Sequence, residues 1–173
     1  ELRIKMDHMA QAIIFTSQGI PFIQGGEEFL RTKYGNRNSY NAGDKVNMLK
    51  WQRKSIYYET FQYYKGLIEM RKEYSVFHLN NPAEVRNNVK FLDSPDQTVA
   101  FRLWPELNED KKSNEKELIV FYNPYHNWER FIIPHKRWGI IVDGKRAGSK
   151  AFNYFTADNV YVPAISVMVI VSC

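Results

Sequence analysis

One polar loop, residues 31–51, concentrates the side chains that are able to bind a polar ligand. They are Arg31, Lys33, Asn36, Arg37, Asn38, Tyr40, Asp44, Asn47 and Trp51. Sugars are held by planar polar groups that match paired hydroxyls and by aromatic faces that cover the apolar side of the ring. The loop has both, so its composition indicates carbohydrate contact. A polar loop that only pins itself to the scaffold is an equally open interpretation.

Two adjacent carboxylates, Glu27 and Glu28, come just before this loop. A glycosidase needs two carboxyl groups roughly 5–9.5 Å apart across the scissile bond. Neighbouring residues point to opposite faces of a strand, and on a helix they diverge by about 100°, so both can hardly flank one bond. We therefore expect one of them to anchor Arg31, Lys33 or a nearby backbone amide.

Other catalytic chemistries find no support in the sequence. The four histidines, at positions 8, 78, 126 and 135, lack the spacing of a helical metal site, and His8 is expected to pack. No phosphate-binding glycine loop and no serine nucleophile elbow occur. Cys173 is the single cysteine, so no intramolecular disulfide and no cysteine-based metal site can form. We predict no cofactor and no metal.

The segment before the loop predicts a helix followed by a strand. Residues 3–17 place Met6, Met9, Ala10 and Ile13 on one helical face, which Ala12, Ile14 and Phe15 widen towards the carboxyl end. Gly19 suits a left-handed helix end. The run 20–24 is too uniformly apolar to have a solvent face. It therefore predicts a buried parallel strand.

A second helix is predicted over about 56–73, after the loop. Ser55 is its candidate N-cap, Glu59 suits its first turn, and Arg71 with Lys72 suits its last turn. The predicted core-facing stripe consists of Tyr57, Phe61, Tyr64, Leu67 and Ile68.

After Tyr74 the pattern changes to short runs that are typical of strands. The candidates are 88–92, 98–104, 117–123, 129–133, 138–142, 151–155, 159–162 and 165–171. Seven or eight short strands indicate an antiparallel sandwich. The charged segment 106–117 predicts an exposed hairpin loop. We place a domain boundary between residues 76 and 77.

Composition narrows the class of protein. The net charge of +5 is spread thinly over 24 basic and 19 acidic residues, which argues against a nucleic-acid partner. No apolar run approaches the roughly 20 residues that span a bilayer, and no signal peptide is visible, so no membrane partner is expected. The chain opens with Glu1 within a helical pattern, so we expect the natural amino terminus to lie upstream. The compartment, cytoplasmic or secreted, stays open.

Several motifs resemble a known family. Gly19-x-Pro21 followed by Gly26-x-Glu28 resembles the segment around the last barrel strand of the alpha-amylase superfamily of glycoside hydrolases. The continuation is similar to type I pullulanases, which hydrolyse α-1,6 branch linkages in pullulan and limit dextrins. It comprises residues 28–33 and 38–41 with Asp44, Asn47 and Trp51. Similarity is dense from about residue 10 to 75. Beyond that it rests on the order of the predicted elements and on their strand-like composition.

The resemblance implies a fold and a function. Residues 1–76 would be the last helix–strand–helix of a (β/α) barrel, and residues 77–173 an antiparallel β-sandwich at the carboxyl end. The family's aspartate nucleophile, glutamate acid/base and second aspartate come from earlier strands, upstream of Glu1, so this chain would contain no catalytic residue. We expect a portion of a starch- or pullulan-debranching hydrolase that is inactive without its missing upstream barrel segment.

The resemblance also implies site residues. Arg37, Asn38 and Tyr40 would lie near the substrate, with Glu28 and Arg31 in supporting roles. The ligand would be an α-glucan: pullulan, limit dextrin, glycogen or starch. A different class stays open, namely a stand-alone carbohydrate-binding or interaction module. The predicted buried strand at 20–24 argues against that alternative, because it has no parallel partner in the chain.

Overall fold

The computed structural model describes residues 1–104 and 116–173, in which helices pack against one antiparallel sheet. The helices are α1 (Leu2–Thr16), α2 (Asp44–Asn47), α3 (Arg53–Ile56), α4 (Tyr58–Glu73) and α5 (Pro82–Asn88), with 3₁₀ turns at Glu27–Phe29 and Ser75–Phe77. The strands are β1 (Val89–Leu92), β2 (Val99–Leu103), β3 (Leu118–Asn123), β4 (Glu129–Val142), β5 (Asn153–Val162) and β6 (Ser166–Ser172). Both long predicted helices are confirmed, and the predicted hairpin loop at 106–117 lies almost entirely outside the described residues.

Helix α1 buries part of the predicted stripe, together with polar residues that the pattern did not include. Its buried residues are His8, Gln11, Ala12, Phe15 and Thr16. Met6 and Ala10, which were predicted to face the core, are exposed. Ala12 and Phe15 of the predicted stripe are buried, and Met9 and Ile13 pack against the same core. Arg71 and Tyr122, distant in sequence, bind polar groups at the carboxyl end of the helix. Arg71 donates to the carbonyl oxygens of Phe15, at 2.9 Å, and Ser17, at 2.7 Å, while Thr16 Oγ1 lies 2.7 Å from Tyr122 Oη.

The predicted buried strand at 20–24 is wrong for this chain. The segment forms no strand, and Ile20 and Phe22 are 97% and 88% exposed. A parallel strand needs neighbours that accept and donate its backbone hydrogen bonds. Every strand pairing among the described residues is antiparallel and lies beyond residue 88, so this run has no partner.

Helix α4 begins later than predicted and its buried face is rotated. Ser55 lies inside the separate helix α3 and is therefore not the N-cap. Tyr64 and Leu67 are buried as predicted, whereas Ile68 is 36% exposed. The helix instead brings Gly66 so close to the sheet that an added Cβ would lie 1.9 Å from the Ala147 carbonyl oxygen. This contact sets the rotation of the helix.

The six strands in residues 1–104 and 116–173 form one sheet in the order β1-β2-β3-β6-β4-β5, and each pairing is antiparallel. The predicted runs 129–133 and 138–142 are a single strand, β4, and 151–155 with 159–162 are a single strand, β5. The β4–β5 register shifts between Ile132 and Lys136. The predicted breaks at 134–137 and 156–158 were wrong, because pairing between β4 and β5 is interrupted over only a few residues and neither strand ends there.

The sheet folds so that one strand serves two layers. β4 pairs with β6 only from Trp138 onward, while its first part pairs with β5 alone. Buried Phe131, on that first part, lies 5.0 Å from the Phe121 ring of β3. The antiparallel strands are thus confirmed, but a single folded sheet takes the place of the two separate sheets of the predicted sandwich.

Helices and sheet share one of the two hydrophobic cores. Phe15 of α1 and Leu67 of α4 pack in the same cluster as Val120 and Val169 of the sheet. The second core, which includes Phe121, lies on the opposite face, beneath the β4–β5 arm. No helix in the described part of the chain is long and apolar enough to cross a membrane.

Candidate functional site

A tight backbone turn at Gly26 comes just before the polar loop. Gly26 has φ 100°, and a Cβ there would meet the side chains of Arg31 and Leu49, each at 2.9 Å. The Arg31 amide donates to the Gly26 carbonyl at 2.9 Å, which closes the turn. Only glycine combines this conformation with such close approach, so Gly26 fixes the direction in which the loop leaves.

The two adjacent glutamates serve as anchors. The Gly26 amide donates to Glu28 Oε2 at 2.9 Å, and Gln11 Nε2 donates to Glu27 Oε2 at 3.1 Å. Neither carboxylate forms an ion pair with Arg31 or Lys33 in the structure. The anchoring role predicted for one of the pair is confirmed, with a backbone amide as the partner of Glu28.

Asn47, at the end of α2, is the residue that holds the loop together. Its Oδ1 accepts from Lys33 Nζ at 2.6 Å, and its Nδ2 donates to the Ser39 carbonyl at 2.6 Å. The Arg31 guanidinium donates to the Asn47 carbonyl and, at 3.1 Å, to that of Gly25. Asn47 therefore connects Arg31, Lys33 and Ser39 through hydrogen bonds. The sequence alone identified it only as one of several polar residues in the loop.

Arg53 secures the base of the loop and was missed by the sequence analysis. Its guanidinium donates to the Leu30 carbonyl, with Nε at 3.1 Å, and lies 4.7 Å from the centre of the Tyr57 ring. Trp51 contacts buried Phe29, with the ring centres 5.5 Å apart. The positive charge at position 53, so soon after the loop, was the only signal available in the sequence.

The three predicted substrate contacts lie on the outer turn of this loop. Arg37 and Asn38 are exposed, and Tyr40 is 82% exposed. The Asn38 amide donates to Asn36 Oδ1 at 3.0 Å, and the Ala42 amide donates to the Ser39 carbonyl at 3.0 Å. The hydrogen bonds that we find across the loop thus use other side chains, and leave these three facing outward.

His8 packs, as predicted, and does not belong to this site. Its ring stacks on Tyr63 at 4.2 Å, and Nε2 lies 3.2 Å from Thr60 Oγ1. Burial lowers the pKa of His8, against the opposing effects of a Gly144 backbone hydrogen bond and the Glu59 charge. In residues 1–104 and 116–173 no three histidine, cysteine or acidic side chains come together as a metal site would require.

Comparison with known sequences points to one class of protein. Residues 85–146 match the family model described as "Pullulanase, all-beta domain". The pullulanase of Bacillus subtilis (strain 168) is 36% identical over 115 residues, which cover 66% of this chain and 16% of that protein. An isoamylase of Flavobacterium sp is 43% identical over 61 residues, 35% of this chain and 8% of that protein.

Solved structures agree over nearly the whole chain. The pullulanase from Bacillus acidopullulyticus superposes with a TM-score of 0.90 and 42% identity, covering 98% of this chain and 20% of that one. A type I pullulanase from Bacillus subtilis, complexed with maltose, gives 0.85 and 27%, covering 99% and 24%. The fold and these matches define a chain of the pullulanase and isoamylase class.

Within that class, the chain belongs to the type I pullulanase family, as the resemblance predicted. It spans between a fifth and a quarter of the length of these two solved pullulanases.

Proposed function

We propose that this chain is the carboxyl-terminal portion of a debranching glycoside hydrolase that cleaves α-1,6-glucosidic linkages in starch or pullulan. Residues 1–76 would complete the catalytic (β/α) barrel, and residues 77–173 would form the domain that follows it. The observation that carries the proposal is a loop pinned by Arg31 and Asn47 whose outer turn displays Arg37, Asn38 and Tyr40.

The exposed apolar segment supports a barrel partner. Ile20 and Phe22 are almost fully exposed. Ile23 lines a concavity of about 470 Å³ together with Phe61 and Ile68 of α4. Burying one large apolar side chain is worth about 1.5–3 kcal/mol, so an upstream barrel segment that covers these residues would stabilise the chain substantially. In that setting the run 20–24 would pair as the parallel strand for which its composition is suited.

Under this proposal, residues 1–173 contain no catalytic carboxylate. Family catalysis is retaining: a carboxylate nucleophile forms a glycosyl-enzyme, and the acid residue then activates water. These carboxylates would lie upstream, while Glu28 and Arg31 keep the loop in place. The purified 173-residue chain is therefore expected to release no reducing sugar from pullulan, whereas the full-length protein does.

The ligand would be an α-glucan, as pullulan, limit dextrin, glycogen or starch. Related pullulanases have been solved with maltotetraose and maltotriose bound, which supports this class of ligand. The Arg37 guanidinium and the Asn38 amide would hydrogen-bond glucose hydroxyls, and Tyr40 would form the adjoining wall.

Substitution on the outer turn tests the proposal. In the full-length enzyme, Arg37→Ala and Asn38→Ala should each lower kcat/KM on pullulan by roughly 2–13-fold, the equivalent of one neutral hydrogen bond of about 0.5–1.5 kcal/mol. The melting temperature should stay unchanged, because these side chains are exposed. Asn41→Ala, an exposed neighbour of the same type, is the matched control.

Two results would contradict the proposal. A lowered melting temperature with unchanged kcat/KM would show a loop that only pins itself. A full-length protein that binds maltooligosaccharide but releases no reducing sugar from pullulan would instead support a binding module without a catalytic role.

A further inference from the structure

A groove of about 660 Å³ runs between helix α4 and residues 143–152, which connect β4 to β5. None of the residues that line it belongs to the polar loop at 31–51. We propose that this α4 groove is an accessory binding site for an α-glucan chain. The choice of ligand rests on the proposed function, whereas the case for a site rests on the groove itself.

The walls of the groove are fixed before any ligand binds. On one side, Asp143 Oδ1 accepts from the amides of Lys145 and Arg146, at 2.8 and 2.7 Å. Tyr74 Oη of the helical layer donates to the Ser149 carbonyl at 2.9 Å. At its base, Gly66 of α4 approaches the Ala147 carbonyl so closely that no side chain fits between them. A preformed groove of this kind costs little reorganisation on binding.

The charges that line the groove largely compensate one another. Four cationic and three anionic side chains face it, namely Lys65, Lys145, Arg146 and Lys150 against Glu59, Glu69 and Asp143. Lys65 pairs with Glu69 at 3.6 Å, and Arg146 pairs with Asp143 at 3.6 Å. A phosphate or another anion would find little uncompensated positive charge. The paired side chains still present donors and acceptors side by side, which suits the adjacent hydroxyls of a neutral sugar.

Apolar and amide surfaces complete the match to a sugar. Tyr58, which is 56% exposed, lines the groove, and Gln62 on the next turn of α4 adds a planar amide. Phe152 also lines it, with one face covered by the Arg146 guanidinium, 4.0 Å from the ring centre. Aromatic surface beside planar polar groups provides both contacts that a glucose ring needs. The volume lies within the roughly 300–1,000 Å³ of ordinary ligand sites.

One residue that lines the groove has an unsatisfied hydrogen-bonding group. The hydroxyl of this residue, Tyr63, is buried without a hydrogen-bond partner among the described residues. Burial raises the pKa of Tyr63, so this group is a neutral O–H donor. A sugar hydroxyl that entered between α4 and residues 143–152 would satisfy it, which a purely apolar ligand would not.

Hydrogen exchange of the full-length protein locates the site. Titration with maltohexaose should slow amide exchange in peptides that cover residues 58–66 and 143–152, independently of peptides that cover 33–47. The β-linked cellohexaose should have no such effect at the same concentration. Unchanged exchange at 143–152 at saturating maltohexaose overturns the accessory site. Equal protection by cellohexaose overturns the assignment to an α-glucan.

Variants separate this proposal from the proposed function. Tyr58→Ala and Gln62→Ala should each weaken retention of the full-length protein in pullulan-containing gels about 2–13-fold. Both should leave kcat on a short branched oligosaccharide unchanged. Glu73→Ala, on the same helix but outside the groove, is the control. Normal retention of both groove variants refutes the accessory site, even if the full-length protein debranches pullulan. Absence of pullulan hydrolysis by the wild-type protein refutes the proposed function while the retention result still decides the groove.

Discussion

Asn47→Ala tests whether the polar loop positions substrate through its internal hydrogen bonds. The substitution removes two hydrogen bonds, from Lys33 Nζ to Oδ1 and from Nδ2 to the Ser39 carbonyl, each 2.6 Å long. The Arg31 contact to the Asn47 backbone carbonyl is retained, because the backbone is unchanged. The loop should therefore loosen around Ser39 without detaching at its base.

The expected loss of loop stability in Asn47→Ala follows from these two hydrogen bonds. Two hydrogen bonds at about 0.5–1.5 kcal/mol each give about 1–3 kcal/mol. Asn47 and Lys33 are both only half-buried, so water replaces part of what is lost. We expect about 1–2 kcal/mol of local destabilisation, which multiplies the open fraction of the loop by about 5–30.

Two measurements on the full-length protein check this expectation. Amide exchange in residues 36–42 should accelerate about 5–30-fold, and kcat/KM on pullulan should fall because Arg37, Asn38 and Tyr40 lose their fixed backbone. Asn41→Ala, an exposed asparagine of the same loop, should change neither quantity. Unaltered exchange in Asn47→Ala would refute the claim that this residue holds the loop. Faster exchange with unchanged kcat/KM would refute the claim that the loop positions substrate.

Two further substitutions probe how the helices meet the sheet. Gly66→Ala should destabilise the protein by about 1–2 kcal/mol in chemical denaturation, because a clash with the Ala147 carbonyl outweighs the gain of about 1 kcal/mol in helix propensity. Gly25→Ala, which meets nothing within 4 Å, is the control, and equal stability of the two variants would contradict the close contact. His8 has its pKa lowered from 6.5 by burial, so below about pH 6.5 the unfolded chain takes up a proton that the folded chain resists. The melting temperature should therefore fall as the pH drops below this value and stay flat above it, whereas His8→Gln should weaken the fall; parallel profiles from pH 8 to 5 would show that His8 is not responsible.

Local patterns in the sequence determined the type of most elements. The 3.6-residue spacing of apolar side chains predicted helices that the structure has at Leu2–Thr16 and Tyr58–Glu73. Short apolar runs separated by turn residues predicted at least part of each strand in the described residues. These signals are local, because backbone geometry repeats over two or about four residues whatever the rest of the chain does.

Where a strand continues or ends was decided by its neighbours. The runs 129–133 and 138–142 were predicted as separate strands, yet β4 continues from one to the other through Pro134. Proline lacks an amide hydrogen, and the register of β4 with β5 skips the residues between Ile132 and Lys136, so no ladder hydrogen bond is lost there. Conversely, the run 20–24 has a strand's composition but no neighbour to pair with, and so it forms none.

The candidate site shows the same division. The sequence by itself determined which residue types the loop offers, and its motifs identified the family to which the chain belongs. Only the tertiary structure decided that Asn47 ties Lys33 and Ser39 together while Arg37, Asn38 and Tyr40 face outward. Those contacts join residues 14 and 8 positions apart in a segment without a repeating backbone geometry, so no periodicity in the sequence records them. The burial of one helix face depends likewise on contacts from distant residues, because an amphipathic pattern fixes the width of an apolar stripe but not what packs against it.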